Sequence, residues 1–306
     1  MLAVLSALAC IAIARLSATV ALAASAADPA QGTAPRPIVR PAPDSPLRAP
    51  GDALSAMVAR EHAFAAAAGR VGMKAAFLEF LDDSAIALVP APTSAKAQWR
   101  SRPDPADPLK TRLAWEPRIG EVARSGDLGW LSGPYSIVPD GDAAHTGYGC
   151  YFSLWRRQAD GLWLVVLDQG IQTPEPCVFP GAGFSPMPAA SARGSDVAAG
   201  KDHLLAIDRA IRDAGALAAR LDERARIYRP GYLPFVGIAA AKATLAKRSG
   251  QTFTSLAAET SSADDLAYTY GTIESGRGYY VRVWRRAPGA EWRVIVDVQT
   301  DLEAAQ

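Results

Sequence analysis

The sequence predicts an α+β fold made of two tandem cone-shaped domains, each with N-terminal helices packed on a curved antiparallel sheet. Three observations predict it. A strand–turn–strand segment occurs twice, each half of the chain begins with apolar residues at helical spacing, and a Pro-rich segment separates the halves. The 306 residues are 49% hydrophobic, which is enough to bury the cores of two ordinary domains.

The repeated segment reads "GYGCYFSLWRRQADGLWLVVLDQG" from Gly147 and "GRGYYVRVWRRAPGAEWRVIVDVQ" from Gly276. One constant offset, without a gap, relates the two. The matching residues are Gly147, Gly149, Tyr151, Trp155, Arg156, Arg157, Trp163, Val165 and Asp168 with Gly276, Gly278, Tyr280, Trp284, Arg285, Arg286, Trp292, Val294 and Asp297. Further matches lie upstream in the same order: Leu81, Asp82, Pro90, Trp115 and Glu121 with Leu221, Asp222, Pro230, Phe253 and Glu259, and "GDLGWLSG" with "DDLAYTYG". This order predicts a tandem repeat, arranged as an internal pseudo-dimer.

The chain divides into five predicted segments. They are a signal peptide (1–26), a Pro-rich leader (27–51), a first domain (52–172), a Pro/Gly-rich linker (173–195) and a second domain (196–302). The N-terminal stretch is apolar and ends in small-x-small patterns that fit a signal peptidase. A retained membrane anchor is the alternative, although Arg15 would be costly inside a bilayer. We therefore expect a periplasmic or secreted protein, with no stable membrane insertion after cleavage.

Signal cleavage would remove Cys10 and leave Cys150 and Cys177. An even number of cysteines in an exported protein favours one disulfide, but spacing alone cannot bring the two side chains within bonding distance. A disulfide and two inert thiols both remain open at this point.

Each predicted domain begins with helices. Apolar residues recur at helical spacing over 55–89, with a break marked by Gly69 and Gly72, and over 202–228, with a break near Gly215. A short third helix follows in each half ("SAKAQW" and "GIAAAKATLAKR"), and strands complete the half. Helices followed by antiparallel strands indicate an α+β layer structure.

Alternation along the repeated hairpin predicts which residues face the helices. If Arg157 lies opposite Leu162, one face is uniformly apolar and is expected to pack under the helices. It comprises Cys150, Phe152, Leu154, Trp163, Val165 and Leu167, and then Tyr279, Val281, Val283, Trp292, Val294 and Val296. The other face is expected to form the contact between the two domains, with Tyr151, Trp155, Asp168, Tyr280, Trp284 and Asp297.

This plan, ending in the pattern "YxxxWRRxxxGxWxVxxD", resembles the nuclear transport factor 2-like superfamily with its cystatin-like cone. More narrowly, it resembles a bacterial branch of unknown function related to ketosteroid-isomerase-like and polyketide-cyclase-like proteins. The likeness runs from about Ala53 to Ile171 and, more faintly, from about Asp196 to Asp301. It implies a cone whose mouth can hold a small ligand. Members include isomerases, dehydratases and binding modules, so the resemblance leaves the activity open.

Two functions are therefore predicted as alternatives. The first is binding of a small, largely apolar ligand or of a protein partner, without catalysis. The candidate pocket residues are Trp99, Trp115, Trp130, Phe152, Trp163, Tyr228, Tyr268 and Tyr279, each of which could equally fill a core. The second is an isomerase- or lyase-type enzyme with an acid–base residue on the inner wall. His62 is its candidate, although a role in ending a helix explains His62 as well.

Composition argues against several other classes. A formal charge of +1 gives no field that would attract nucleic acid. The three His and three Cys show no zinc-ligand spacing, and the loop containing Asp140 and Asp142 lacks the Glu of a calcium site. We expect no metal and no cofactor. For Asp168 and Asp297 a structural cross-strand contact is the preferred interpretation over catalysis.

Overall fold

The computed structural model describes residues 50–188, 190, 199–248, 250–274 and 277–301. The predicted signal peptide, Cys10, nearly all of the predicted leader and part of the predicted linker lie outside these residues. We call residues 50–188 the first unit and residues 199–301 the second unit. No helix within the described ranges is long and apolar enough to cross a membrane.

Each unit begins with helices, as the apolar spacing predicts. Their bounds are α1 Pro50–Val71, α2 Met73–Phe80 and α3 Ala95–Ser101, then α4 Lys201–Ala210, α5 Ala214–Arg220 and α6 Ile238–Ala246. Gly72 separates α1 from α2 with a φ of 87°, a conformation that residues with a Cβ rarely adopt. In the second unit Asp213 caps α5 by accepting a hydrogen bond from the Ala216 N–H.

The strands form one sheet in each unit. The first sheet contains β1 Leu81–Ala87, β2 Thr93–Ser94, β3 Arg112–Trp115, β4 Ile119–Val122, β5 Leu128–Val138, β6 Gly147–Arg157, β7 Trp163–Thr173 and β8 Ser185–Pro186. The second contains β9 Leu221–Tyr228, β10 Phe235–Val236, β11 Phe253–Thr260, β12 Leu266–Ile273, β13 Gly278–Arg285 and β14 Arg293–Asp301. Two single 3₁₀ turns, Pro139–Gly141 and Ala143–His145, lie between β5 and β6.

The two sheets have the same central strand order. The first runs β2-β1-β7-β6-β5-β4-β8, with β3 also paired to β5, and the second runs β10-β9-β14-β13-β12-β11. Neither sheet is purely antiparallel, because β1 pairs in parallel with β7 and β9 in parallel with β14. The mixed α+β architecture is therefore as predicted, and a parallel pair between the first strand and the last long strand is added in each unit, with a second parallel pair, β4 with β8, in the first.

The predicted helices are too long at their C-terminal ends. Residues 81–87 and 221–228 are strands, although their apolar spacing is helical. In both units an Asp follows the first strand residue and bonds the backbone two residues on: Asp82 Oδ1 accepts from Ser84 N at 2.7 Å, and Asp222 Oδ1 from Arg224 N at 2.9 Å. Such local bonds compete with helix hydrogen bonds, and pairing with the neighbouring strand completes the change.

The predicted hairpin register is also wrong, by one residue next to the turn and by two residues beyond a β-bulge. Arg157 lies opposite Trp163, and a β-bulge follows between Leu154 and Trp155. As a result Ser153, not Tyr151, lies opposite Asp168. The second hairpin repeats the bulge at the equivalent position and places Arg282 opposite Asp297. Because side chains alternate along a strand, a slip of one residue exchanges the two faces.

The faces of the sheets are accordingly reversed over most of each hairpin. Tyr151 and Trp155 pack with α1 and α2, and Tyr280 and Trp284 pack with α4 and α5. The prediction that these four, with Asp168 and Asp297, form the contact between the units is therefore wrong. The residues that lie between the sheets instead are Cys150, Phe152, Leu154, Leu167, Tyr279, Val281, Val283 and Val296. Trp163, Val165, Trp292 and Val294 face the helices as predicted.

We call the residues buried between the two sheets the inter-sheet cluster. It joins apolar side chains of both units, including Phe152 and Leu154 of the first and Val281 and Val283 of the second. One buried hydrogen bond crosses it, between the Ser132 and Tyr228 hydroxyls at 2.9 Å. A disulfide between Cys150 and Cys177, with Cα atoms 5.6 Å apart, lies at the same cluster. The most uniformly apolar strand faces thus pack on each other rather than on the helices.

The Ser132–Tyr228 contact tests the packing of one unit on the other. Ser132 Oγ donates to the Tyr151 carbonyl at 2.6 Å, so the Tyr228 hydroxyl is the donor to Ser132. We expect Tyr228→Phe to lower the free energy of unfolding by about 1 kcal/mol. A double-mutant cycle with Ser132→Ala, measured by denaturant unfolding, should give a coupling energy of about 0.5–1.5 kcal/mol. A coupling of zero would contradict contact between the units.

Candidate functional site

The space between α1, α2 and the first sheet, which we call the first interior, contains a narrow cavity. Its lining residues come from five elements: Phe77, Leu113, Trp115, Tyr135, Tyr151 and Asp168. In this conformation the space does not admit a water-sized sphere. The cavity is therefore a dry, mostly aromatic slot with one carboxyl group in its wall.

A recurrent glycine lets the central tyrosine of each interior lie flat against its neighbouring strand. Gly133 pairs across the sheet with Tyr151, and Gly271 pairs with Tyr280. A Cβ at these glycines would come within 3.0 Å of the Tyr151 ring and 2.6 Å of the Tyr280 ring. Both distances are too short for comfortable contact between carbon atoms, so a larger residue at either position would displace the tyrosine ring.

Glu61 brings a second carboxyl group into the first interior from α1. It is fully buried and accepts three hydrogen bonds: from Trp115 Nε1 at 2.6 Å, Ser153 Oγ at 2.7 Å and Trp155 Nε1 at 2.8 Å. Burial raises the pKa of Glu61, and the three hydrogen bonds oppose that rise. Glu61 therefore has its hydrogen-bond partners within the protein.

Tyr151 and Asp168 lack such partners. The Tyr151 side chain is 1% exposed, and its hydroxyl has no hydrogen-bond partner among the described residues. Asp168 is partly buried, and its Oδ1 atom is likewise buried without a partner in the described part of the chain. Burial raises the pKa of Asp168 well above its ordinary value, and the negative charge of Glu61 raises it further. Unsatisfied buried groups of this kind are rare and costly in native proteins.

The corresponding space between α4, α5 and the second sheet, the second interior, is filled by an ion-pair network. Arg282 donates from Nη1 to Asp208 Oδ1 at 2.7 Å and from Nε to Asp297 Oδ2 at 3.0 Å. Arg229 Nη2 lies 2.6 Å from Asp297 Oδ1. The Tyr280 hydroxyl donates to Asp208 Oδ2 at 2.7 Å. All four charged side chains are buried, and each charge has an opposite charge beside it.

The two interiors therefore differ in charge balance. Asp168 and Asp297 occupy matching positions, and a helix supplies a second acid in each case, Glu61 in one unit and Asp208 in the other. Ser153 occupies the position that matches Arg282, on the same offset as the rest of the hairpin. Val89 occupies the position that matches Arg229, because each of the two directly precedes a matched proline, Pro90 or Pro230. Neither carboxyl group of the first interior forms an ion pair with a described residue.

The structure separates the predicted pocket residues into three groups. Trp115 lines the cavity, while Trp99 and Trp163 are buried in the same helix-side cluster without lining it. Five residues lie in the inter-sheet cluster and are wrong as pocket candidates: Trp130, Phe152, Tyr228, Tyr268 and Tyr279. Phe152 and Tyr279, which lie on the hairpin strands β6 and β13, were assigned wrongly because the register error exchanged the two faces of these strands.

His62, the predicted acid–base candidate, lies on the exposed side of α1. Its neighbour Glu61 points inward instead. The sequence held a signal for this, because Met57, Phe64 and Ala68 form a buried stripe on α1 and Glu61 falls in that stripe. A carboxylate in an apolar helical stripe indicates a buried polar partner. Asp168 and Tyr151 could be placed only with the correct register.

No group of three or more potential metal ligands occurs within the described ranges.

The charge difference between the interiors predicts opposite effects of two isosteric substitutions. The pKa of Asp168 is higher in the folded protein than in the unfolded chain. The free energy of unfolding therefore falls as the pH rises from the ordinary pKa of an aspartate toward the raised pKa of Asp168. Asp168→Asn cannot ionise, so we expect a higher melting temperature than wild type at neutral pH, with the gain fading toward about pH 4.

The matched substitution in the second unit is Asp297→Asn, which leaves two buried arginines without their shared partner. It should lower the free energy of unfolding by about 3–5 kcal/mol at neutral pH. Thermal unfolding of both variants across pH measures the contrast. Equal destabilisation by the two substitutions would contradict it.

Comparisons with known proteins found likenesses among solved structures alone. No protein-family model matches the chain, and no curated protein matches it. Among solved structures, the chain is similar to a nuclear transport factor 2-like protein of unknown function from Pseudomonas putida, at 16% identity over 38% of this chain and 85% of that one, with a TM-score of 0.29. It is also similar to a nuclear transport factor 2-like protein with a cystatin-like fold from Novosphingobium aromaticivorans, at 18% identity over 34% of this chain and 75% of that one, with a TM-score of 0.23.

Proposed function

We propose that the first interior binds a small, largely apolar molecule without catalysis, and that the second interior is a structural scaffold. One observation carries the proposal: Tyr151 and Asp168 present unpartnered polar atoms to an aromatic-walled cavity. Their matches Tyr280 and Asp297 are bonded within the chain. A ligand that bonds these atoms removes the cost of burying them unpaired.

The size of the cavity limits the ligand. In this conformation the space does not admit even a water-sized sphere, whereas ligand pockets usually enclose about 300–1,000 Å³. Entry therefore requires the lining side chains to move, and the ligand is fragment-sized. Apolar walls with a few placed polar groups are the ordinary composition of such sites.

The proposal includes a tandem origin, with domains at 52–172 and 196–302 that form an internal pseudo-dimer. Reciprocal contacts support it. Arg285 pairs with Glu121 at 3.3 Å, and their matches Arg156 and Glu259 pair at 3.7 Å. A two-fold axis produces such paired exchanges, because each surface meets a copy of itself.

A second reciprocal pair lies in the β4–β5 and β11–β12 turns. Asp265 accepts from Arg124 N at 3.1 Å and from Arg124 Nε at 2.9 Å. Its match Asp127 accepts from Ser262 N at 2.9 Å and from Ser262 Oγ at 2.5 Å. In both cases the Asp of one turn accepts hydrogen bonds from a residue of the other turn, and that residue lies three positions before the matched Asp of its own turn. Two equivalent surfaces related by a two-fold axis would form such a pair of contacts.

Export to the periplasm or beyond, after removal of residues 1–26, is the remaining part of the proposal. The disulfide between Cys150 and Cys177 supports an oxidising compartment, because such bonds are rare in reducing cytosol.

An acid–base enzyme of the isomerase or lyase type is the second candidate function. The observation in its favour is that Asp168, whose pKa burial raises, shares a cavity with the Tyr151 hydroxyl. A carboxyl group and a phenol on one wall can move a proton to or from a bound molecule. Asp168 replaces His62 as the acid–base residue in this alternative.

Mass spectrometry of the protein purified under native conditions tests the proposal. We expect a co-purifying small molecule that is released unchanged on denaturation. Release of a chemically altered molecule, or turnover that Asp168→Asn abolishes, would favour the enzyme.

Two matched tyrosine variants locate the site. Tyr151→Phe removes a buried hydroxyl that has no partner among the described residues, so the free energy of unfolding of the ligand-free protein should rise by about 1–3 kcal/mol while ligand retention falls about five- to tenfold. Tyr280→Phe removes a bonded hydroxyl and should destabilise by about 1–3 kcal/mol with retention unchanged. The reverse pattern would place the ligand in the second unit.

A further inference from the structure

The second interior shows what a space with this arrangement of acids and rings accommodates. The Arg282 guanidinium is fully buried there. It lies over two aromatic rings, 3.9 Å from the Tyr280 centroid and 4.5 Å from the Phe253 centroid. Its nitrogen atoms bond Asp208 and Asp297. Two acids and two ring faces thus enclose one cation supplied by the chain itself.

The first interior repeats every part of this enclosure except the cation. Tyr151 and Trp115 take the places of Tyr280 and Phe253, and Asp168 takes the place of Asp297. All three line the cavity. Ser153 stands where the arginine would be, and its side chain ends in a hydroxyl that bonds Glu61. The short serine places no positive charge beside Asp168.

We propose that the ligand of the first interior is a small cation, an amine, amidine or guanidine joined to a flat apolar body, with its charged group at Asp168. This inference rests on the proposed binding function and names its ligand class. Asp168 provides the direct charged hydrogen bond, and Tyr151 orients it. Glu61, with three donors already bound, adds negative charge at longer range.

Physical chemistry favours a cation over a neutral ligand of the same shape. Two carboxyl groups share a poorly solvated space in which each disfavours ionisation of the other. A cation makes ionisation of Asp168 favourable and gains a charge-assisted hydrogen bond. The indole of Trp115 is the best aromatic face for a cation. A neutral ligand of the same shape gains the apolar contacts and an ordinary hydrogen bond, but not the charge attraction.

A pair of probes that differ in charge but hardly in shape tests the inference. Benzylamine and benzyl alcohol can be titrated into the disulfide-containing protein by calorimetry, with tryptophan fluorescence as a second signal. We expect benzylamine to bind at least about tenfold more tightly than benzyl alcohol, which is the scale of close charge pairs at interfaces.

Three variants connect that difference to the proposed residues. Ser153→Arg inserts the cation that the second unit already carries, so it should abolish benzylamine binding and raise the melting temperature. Asp168→Asn is isosteric and should weaken benzylamine at least about tenfold while leaving benzyl alcohol nearly unchanged. Tyr280→Phe is the control in the second unit and should bind both probes like wild type. If Ser153→Arg does not fold, Asp168→Asn decides alone.

The outcomes separate this inference from the function on which it rests. Benzyl alcohol that binds as well as benzylamine, with Tyr151→Phe weakening both, would overturn the cationic ligand and leave the binding function intact. Failure of both probes, in a protein that also releases no small molecule on denaturation, would overturn both.

Discussion

The rest of the structure depends on the packing of the two sheets on each other. The central hairpins carry apolar side chains on one face, and in both units that face lies against the other unit instead of against the helices. Burying it there leaves the remaining face, with Tyr151, Ser153, Trp155 and their matches, to meet the helices. Because that face carries hydroxyl, indole and charged groups, each interior needs buried hydrogen-bond partners.

The two units satisfy that need in different ways. In the second, two arginines and two aspartates neutralise one another, and the result is a filled, rigid interior. In the first, Glu61 bonds the serine and two indoles, while Asp168 Oδ1 and the Tyr151 hydroxyl have no hydrogen-bond partner within the described ranges. Ser153 and Val89, standing where the second unit has Arg282 and Arg229, account for the difference. The two units thus share a strand order, but the charges of the second interior are balanced, whereas no described cation pairs with the carboxyl groups of the first.

The sequence was sufficient to predict that each unit begins with helices and continues with strands, because the matched segments preserve glycines, tryptophans and strand lengths in order. The sequence was insufficient to predict which face of each hairpin packs on the helices. Both faces of the hairpin are buried, so apolar alternation could not show which one meets the helices, and the bulge before Trp155 shifts the alternation again. It also mistook β1 and β9 for helix, since pairing with a distant strand decided their structure. These errors affected the predicted site: Trp115 lines the cavity, whereas Asp168 was assigned to the wrong face.

Carbon-detected NMR titration of the Asp168 carboxyl group tests the central claim most directly. With no cation beside it, burial and Glu61 should hold the pKa of Asp168 above its ordinary value of 3.8 in the wild-type protein, and introducing arginine at position 153 should bring it down. An Asp168 that titrates at or below its ordinary value, and that does not respond to the added arginine, would show that the first interior is already balanced.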